Sequence, residues 1–459
     1  MTALPDDLPA DVARRVAAAG QEGVLSAWDT LDASSRSALV AQLRSIDWAL
    51  FADLRQRVAD RRNATMMESR APDLGDAVTP PCLRLRDEGN QIQPATAIAR
   101  GAAALTAGRV GAILVAGGQG TRLGCEGPKG IFPVGPVSRA SLFELLLGKL
   151  VAVSRRFGAP VPLAIMTSSA TDEPTRDFLA RHDWFGLAPD HVLVFRQRDL
   201  PALDEVTGAL LRDGPGLLAL APDGHGGMLP ALAEAGGLDW FARHGVDQIV
   251  SFQVDNPLAM PLDAEFLGYH LLTDAEFTPQ VVPKTDPAER VGVVVACGDG
   301  VRIVEYSDLP TDAAAARLPD GRLRFHAGSI AVHAFTRAFL DRCAARSDAL
   351  PLHMAHKAVA FIDTAGHRAV PRAPNAFKFE RFIFDLLPLA RKVTLVEVDA
   401  AEGFAPLKNA TGAPADTAAH VARAMIAHAR RVLGRAGVTV RSEEHTSELQ
   451  SRVDISYAV

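Results

Sequence analysis

The chain lacks any CxxC pair: its four cysteines, Cys82, Cys125, Cys297 and Cys343, lie far apart in 459 residues. That argues against a disulfide framework and against a structural zinc site. It also lacks an apolar run approaching the roughly 20 residues needed to cross a bilayer, so no membrane is expected. The N-terminus, MTALPDDLPADVARRV, has no apolar signal-peptide core, and the expected location is the cytoplasm. Positive charge is not in excess, and a net charge of −6 gives no electrostatic reason to expect nucleic-acid binding. No internal repeat is visible. What is present is an ordinary globular composition, 48% apolar and 22% charged, on a chain long enough for two or three domains.

Residues 1–100 read as a helical N-terminal region, with apolar positions at Val12 and Val16 and then at Leu39, Leu43, Ile46 and Leu50, a helical spacing. The stretch APDLGDAVTPPCLRL (71–85) breaks helix and serves as a connector. From Arg109 the texture changes to short apolar runs rich in β-branched residues, RVGAILVA, VPLAIMTSS, HVLVF and DQIVSFQVD, separated by helical segments. Such runs are strands buried on both faces of a parallel sheet, which presents ligands beyond its C-terminal strand ends. The expected fold is therefore α/β, a doubly wound, mostly parallel, Rossmann-like sheet over 101–385, with a small C-terminal domain over 386–440. Ser141 followed by Glu144 is a capping box that fixes a helix start. GVVVACGDGVRIVEY reads as a hairpin around Gly298, Asp299 and Gly300. The tail 441–459 fits no preceding pattern and resembles the translated read-through of a sequencing adapter. It is set aside from the fold, with the native sequence expected to break off near Thr439 and its true C-terminus to lie beyond.

The stretch LVAGGQGTRLGCEGPKG, 114–130, carries six glycines around Arg122 and Lys129. It follows directly on a strand, where missing Cβ atoms let backbone N–H groups approach a base or a phosphate. It is not a P-loop, since no Gly-x4-Gly-Lys-Ser/Thr run exists, and not a dinucleotide fingerprint, since Leu123 stands where glycine or alanine is required. Two cations on one bare loop suit a triphosphate whose leaving group gains charge as a P–O bond breaks.

With these residues in view, LVAGGQGTRLG…PKG resembles the signature of the UDP-sugar pyrophosphorylases, specifically the eukaryote-type UDP-N-acetylglucosamine pyrophosphorylase family. The segments APDGHGG, VDNPLAM, VGVVV, VEYSDL, FHAGSIAVHAF, LPLHMAHKAVAFID, PNAFKFERFIFDLL and FAPLKNATG resemble further family motifs in the family's order, from about residue 70 to 440. The resemblance implies a nucleotidyltransferase that joins UTP and a sugar 1-phosphate, with Mg2+, into a UDP-sugar and pyrophosphate. These small molecules are its expected partners.

By resemblance, Arg122, Lys129 and Lys408 are catalytic, holding and neutralising phosphates. Gly117, Gly118, Gly120, Thr121, Gln197, Gly224, His225, Asp255 and Lys378 bind the nucleotide, with Gln197 reading the uracil edge and Asp255 also serving the metal. Gly292, Glu305 and Ser329 face the sugar. Three positions depart from the family pattern: His225, His326 and Ser329 each stand where it has asparagine. The altered pocket leaves N-acetylglucosamine, glucose and N-acetylgalactosamine 1-phosphates open. His353 and His356 are read at helical i, i+3 spacing as structural residues. The alternative of a different class is a nucleotide-sugar-binding regulator without turnover.

Overall fold

The computed structural model describes residues 4–64, 74–298, 300–346, 349–363 and 366–438. The adapter-like tail 441–459, Asp299 of the expected hairpin turn and the first residues of the 71–85 connector lie outside them. By contacts the described chain divides into two units. One draws on 1–70, 198–227 and 351–382, and the larger on 71–197, 228–350 and 383 onward. The boundaries expected at 100, 385 and 440 follow chain order, whereas this division gathers stretches that are far apart in sequence.

In the smaller unit the N-terminal apolar spacing forms helices Ala10–Ala18, Ala33–Ser45 and Trp48–Ala64. Asp32 caps the second by accepting from the Ser35 N–H at 2.7 Å, which satisfies a donor that the first turn leaves unpaired. Val12, Val16, Leu39 and Leu43 are buried with Leu203, Phe377 and Phe379. An antiparallel sheet orders His353–Lys357, Ala376–Glu380 and Leu203–Asp204. The helical spacing read for His353 and His356 is thus corrected: strand pairing fixes this segment, and residues three apart on a strand point to opposite faces. His356 Nε2 meets Glu205 Oε2 at 2.6 Å, while the His353 ring lies 4.6 Å from that of Phe382.

The larger unit is built on a ten-stranded sheet: β1 (Cys82–Arg84), β2 (Val110–Val115), β3 (Leu163–Thr167), β4 (Val192–Arg196), β5 (Gln248–Gln253), β6 (Phe277–Pro283), β7 (Val293–Cys297), β8 (Gly300–Val304), β9 (Ala327–Thr336) and β10 (Leu395–Glu397). The main order is β1-β10-β6-β9-β5-β2-β3-β4. The four apolar runs are β2 to β5, adjacent and parallel. β9 runs antiparallel to both neighbours. β7 and β8 form the expected hairpin, closed by Cys297 opposite Gly300.

Helices cover both faces. On one, α1 (Pro94–Thr106), α2 (Leu142–Phe157) and α3 (Ala264–Leu272) bury Leu105, Leu146, Leu150 and Phe266 with Leu114, Val250 and Phe252 of the sheet. On the other, Phe339 of the helix Arg337–Ala344 packs against Phe277 and Phe335. The Ser141 half of the capping box is realised: the Glu144 N–H donates to Ser141 Oγ at 3.1 Å and starts α2. α1 and α3 cross at Gly101 and Gly268. A Cβ on Gly101 would stand 1.9 Å from Ala264 O, and one on Gly268 1.8 Å from Ala97 O.

β10 sits between β1 and β6, parallel to both, and leads into α4 (Ala400–Gly403) and, further on, α5 (Ala418–Arg435). Glu402 ties these helices together. Its carboxylate meets Arg431 and Arg435 at 2.6 Å, Arg86 at 3.3 Å and His428 at 3.5 Å. Burial works against the charge, but bonds from Arg435 and Arg431 and the nearby His428 hold the carboxyl down to about 2. Because this pKa lies below the unfolded value, the folded state binds fewer protons between the two. The stabilisation is complete above the ordinary glutamate range and is lost as pH falls toward 2. The arginines are partly exposed, so the contribution is reduced by solvent to about 2 kcal/mol. Glu402→Gln is expected to lower the urea midpoint at pH 7 and to lose the part of the wild-type acid dependence that lies between about pH 5 and 2. Identical pH-stability curves for the two proteins would refute this.

Candidate active site

The parallel strands β2 to β5 deliver four segments to one end of the sheet. From β2 the chain enters the glycine loop through Ala116 and Gly117. Gly118 O accepts from Lys129 N at 2.9 Å, and Gly127 O accepts from Gly120 N at 2.9 Å. The limbs 118–120 and 127–129 therefore pair like a short ladder, and this fold-back is why two cations seven residues apart share one loop. Lys129 Cε comes to 3.9 Å from the position a Cβ on Gly118 would take. Thr121 and Arg122 sit on an exposed 3-10 turn, Thr121–Leu123. Among the described residues Arg122 forms no hydrogen bond or ion pair.

From the end of β3, Ser168 Oγ donates to Gly117 O at 2.8 Å and fixes the loop's first turn. From the end of β4 comes Gln197, 5% exposed, whose N–H donates to Thr167 O at 2.9 Å. Its side-chain nitrogen would lie 2.5 Å from a Cβ on Gly117, so only glycine leaves room for that amide. Gln197 Oε1 is buried with no hydrogen-bond partner. An unmet buried acceptor of this kind costs about 1–3 kcal/mol unless a ligand supplies the donor.

From the end of β5 comes Asp255, whose Oδ2 accepts from Lys129 Nζ at 3.5 Å. Its backbone carbonyl accepts from Leu407 N at 2.7 Å, which docks the arm carrying Lys408. Asn256, 3% exposed, donates through Nδ2 to Gly403 O at 2.8 Å and accepts from Ala405 N at 3.1 Å. Behind this turn Lys149 of α2 donates to the carbonyls of Pro257 at 2.5 Å and Ala259 at 2.9 Å, and burial pushes its ammonium down to about 7.

Gly292, Glu305 and Ser329 form a second group in the same unit. Ser329 N donates to Gly292 O at 2.8 Å, and Glu305 Oε1 lies 3.0 Å from the position of a Gly292 Cβ. Gly224, His225 and Lys378 belong to the smaller unit. There the loop 223–227 is held by the buried pair of Asp223 and Arg381 at 2.9 Å and by Gly226 N donating to Arg381 O at 2.8 Å. Gly224 has a φ of +82° and lies against that same carbonyl. Burial, helped by His353, pushes the His225 imidazole down to about 4, so it is neutral at neutral pH.

Sequence reasoning missed Ser168, Asn256, Lys149, Asp223 and Arg381. All act through burial and hydrogen bonds rather than through a spacing pattern. Asn256 had one signal, its place directly after Asp255 at a strand end.

A bare backbone with two cations, one carboxylate and a buried amide can hold a base and neutralise a phosphate chain, and on this fold that defines a nucleotidyltransferase. The profile of the family described as UTP--glucose-1-phosphate uridylyltransferase matches residues 76–411. The human protein named UDP-N-acetylhexosamine pyrophosphorylase-like protein 1 is 34% identical over 437 residues, 93% of this chain and 86% of its own. The Arabidopsis thaliana protein named UDP-N-acetylglucosamine diphosphorylase 2 is 33% identical over 442 residues, covering 91% and 84%. The crystal structure of the uridine diphosphate N-acetylglucosamine pyrophosphorylase from Trypanosoma brucei, in complex with inhibitor, aligns with a TM-score of 0.79 at 25% identity, over 97% of this chain and 91% of that one. The chain belongs to this family of uridylyltransferases. No described helix is long and apolar enough to cross a membrane.

Proposed function

We propose that the enzyme makes a UDP-hexose or UDP-N-acetylhexosamine from UTP and the corresponding sugar 1-phosphate. The observation that carries this is the buried Gln197 amide with its unpartnered Oε1, set against Gly117 at the root of the cationic loop. That oxygen suits the N3–H of uracil, while the amide's N–H groups suit a uracil carbonyl. Gly118, Gly120 and Thr121 present the loop to the phosphates. Lys129 and Arg122 neutralise the charge that grows on pyrophosphate as it leaves, with Lys408 reaching the same phosphates from its arm. A phosphate oxygen of the sugar substrate attacks the α-phosphorus in line, the bond to the β,γ-pyrophosphate breaks, and no proton moves. Gly224, His225 and Lys378 carry the roles assigned to them by resemblance: uracil and hydroxyl contacts for the first two, phosphate for the lysine.

A divalent cation fits the donor set. Asp255 offers one carboxylate, 14% exposed, and no group of three or more His, Cys, Asp or Glu able to hold a metal is found among the described residues. A cation that takes most of its ligands from phosphate oxygens and water needs no more, and Mg2+ behaves this way. When bound it would offset phosphate charge.

For the sugar, Ser329 offers a hydroxyl in place of an amide. The test is pyrophosphate release from UTP and Mg2+ with the 1-phosphates of glucose, N-acetylglucosamine and N-acetylgalactosamine. Release with one of these clearly preferred is expected. Silence across the panel, with a UDP-sugar still bound in calorimetry, would replace this reading with that of a binding protein without turnover.

A further inference from the structure

The residue that follows β6 is Lys284, a lysine only 3% exposed. Its backbone N–H donates to His326 O at 2.7 Å, just before β9 begins. Among the described residues its ammonium forms no hydrogen bond and no ion pair. The acids whose charge it feels are Glu289 and Asp286, and both are engaged elsewhere. Glu289 Oε1 accepts the N–H groups of Thr285 and Asp286 at 2.9 and 2.7 Å and the Thr285 hydroxyl at 3.2 Å, while Asp286 Oδ1 accepts Ala288 N at 2.9 Å.

The position of this lysine gives it a use. The loop that starts at Lys284 returns to β9 at Gly292, so its two ends are tied to His326 and to Ser329, three residues apart. Gly292 and Ser329, with Glu305 beside them, are the group assigned to the sugar. An ammonium this enclosed, with no carboxylate bonded to it, is costly, and sugar hydroxyls cannot balance a full positive charge, whereas a phosphate dianion bonded to it can. Lysine suits this as a compact charge with three donors.

We infer that Lys284 is a substrate-binding residue whose ammonium takes the phosphate of the incoming sugar 1-phosphate, an assignment that rests on reading Gly292, Glu305 and Ser329 as the sugar side of the site. The two substrates are then served by separate cations: Arg122 and Lys129 act on the nucleotide, and Lys284 holds the nucleophile.

The test is steady-state kinetics of Lys284→Met and Lys284→Arg in the full chain, with the preferred sugar 1-phosphate of glucose, N-acetylglucosamine and N-acetylgalactosamine. Lys284→Met should raise KM for the sugar phosphate by about tenfold or more, with KM for UTP changed less than about threefold. Its Tm should be unchanged or higher, because an enclosed ammonium that bonds to no carboxylate is removed. Lys284→Arg should recover part of the affinity, and inorganic phosphate should compete with the sugar phosphate less well in the methionine variant than in the wild type. A sugar-phosphate KM near wild type, or an equal rise in the UTP KM, overturns the inference. Glu305→Ala separates this from the reading beneath it. If Glu305→Ala raises the sugar-phosphate KM and Lys284→Met does not, the inference alone falls; if Glu305→Ala leaves it unchanged, the assignment of that corner to the sugar falls first.

Discussion

Arg122→Ala and Lys129→Ala are each expected to lower kcat by about a hundredfold or more, because each removes positive charge that matters most when pyrophosphate departs. The two should differ in everything else. Arg122 is exposed and without a partner among the described residues, so its loss should leave Tm unmoved. Lys129 holds Asp255 at 3.5 Å, and its removal leaves that carboxylate alone at the strand end. Weaker nucleotide and metal binding should therefore accompany the loss of turnover. Pyrophosphate release at saturating UTP and sugar phosphate, with thermal melts of the same samples, separates these effects. Turnover within about threefold of wild type in either variant would remove that residue from the chemistry.

The second large effect concerns stability. Helix propensity alone says that alanine for glycine inside α1 or α3 should stabilise by about 1 kcal/mol. The structure says the opposite. A Cβ on Gly101 or Gly268 meets a backbone carbonyl at 1.9 or 1.8 Å, and backbone cannot rotate away as a side-chain tip can. The helices must separate, which disturbs Ala97, Ala104, Phe266 and Leu267, all within 4% exposure. Gly101→Ala and Gly268→Ala are each expected to cost about 3 kcal/mol, the upper part of the overpacking range. Because one displacement of the crossing relieves both clashes, the double variant should lose clearly less than the sum. Urea unfolding of the two singles and the double measures this. A gain in stability from either single would mean that the helices do not cross at these glycines.

Much of the larger unit could be read in advance. The strands β2 to β5 are buried on both faces, so they appear as unbroken apolar runs. Ser141 with Glu144 and the Gly298 to Gly300 turn gave a helix start and a hairpin by local rules alone. The bare backbone that carries Arg122 and Lys129 was equally legible as a loop at a strand end. What escaped was whatever depends on distant pairing. The smaller unit is assembled from three separated stretches, and His353 and His356 look helical until Ala376–Glu380 pairs with them. Ser168, Asn256 and Lys149 are ordinary residue types whose importance comes from the carbonyls they meet. Lys284 has no signature in sequence, because its burial is set by β9.

The place of β10 bears on how the molecule is made. Leu395–Glu397 fills an interior position between strands whose own residues are synthesised long before it. At typical translation rates the chain takes roughly 20 to 80 s to reach that segment. For the last part of that interval, from the synthesis of β6 onward, the edge of β6 on that side has no neighbour, and β1 has nothing to join. An open strand edge of this kind invites pairing with other chains. The nascent protein therefore carries an open sheet edge that closes only once β10 has emerged.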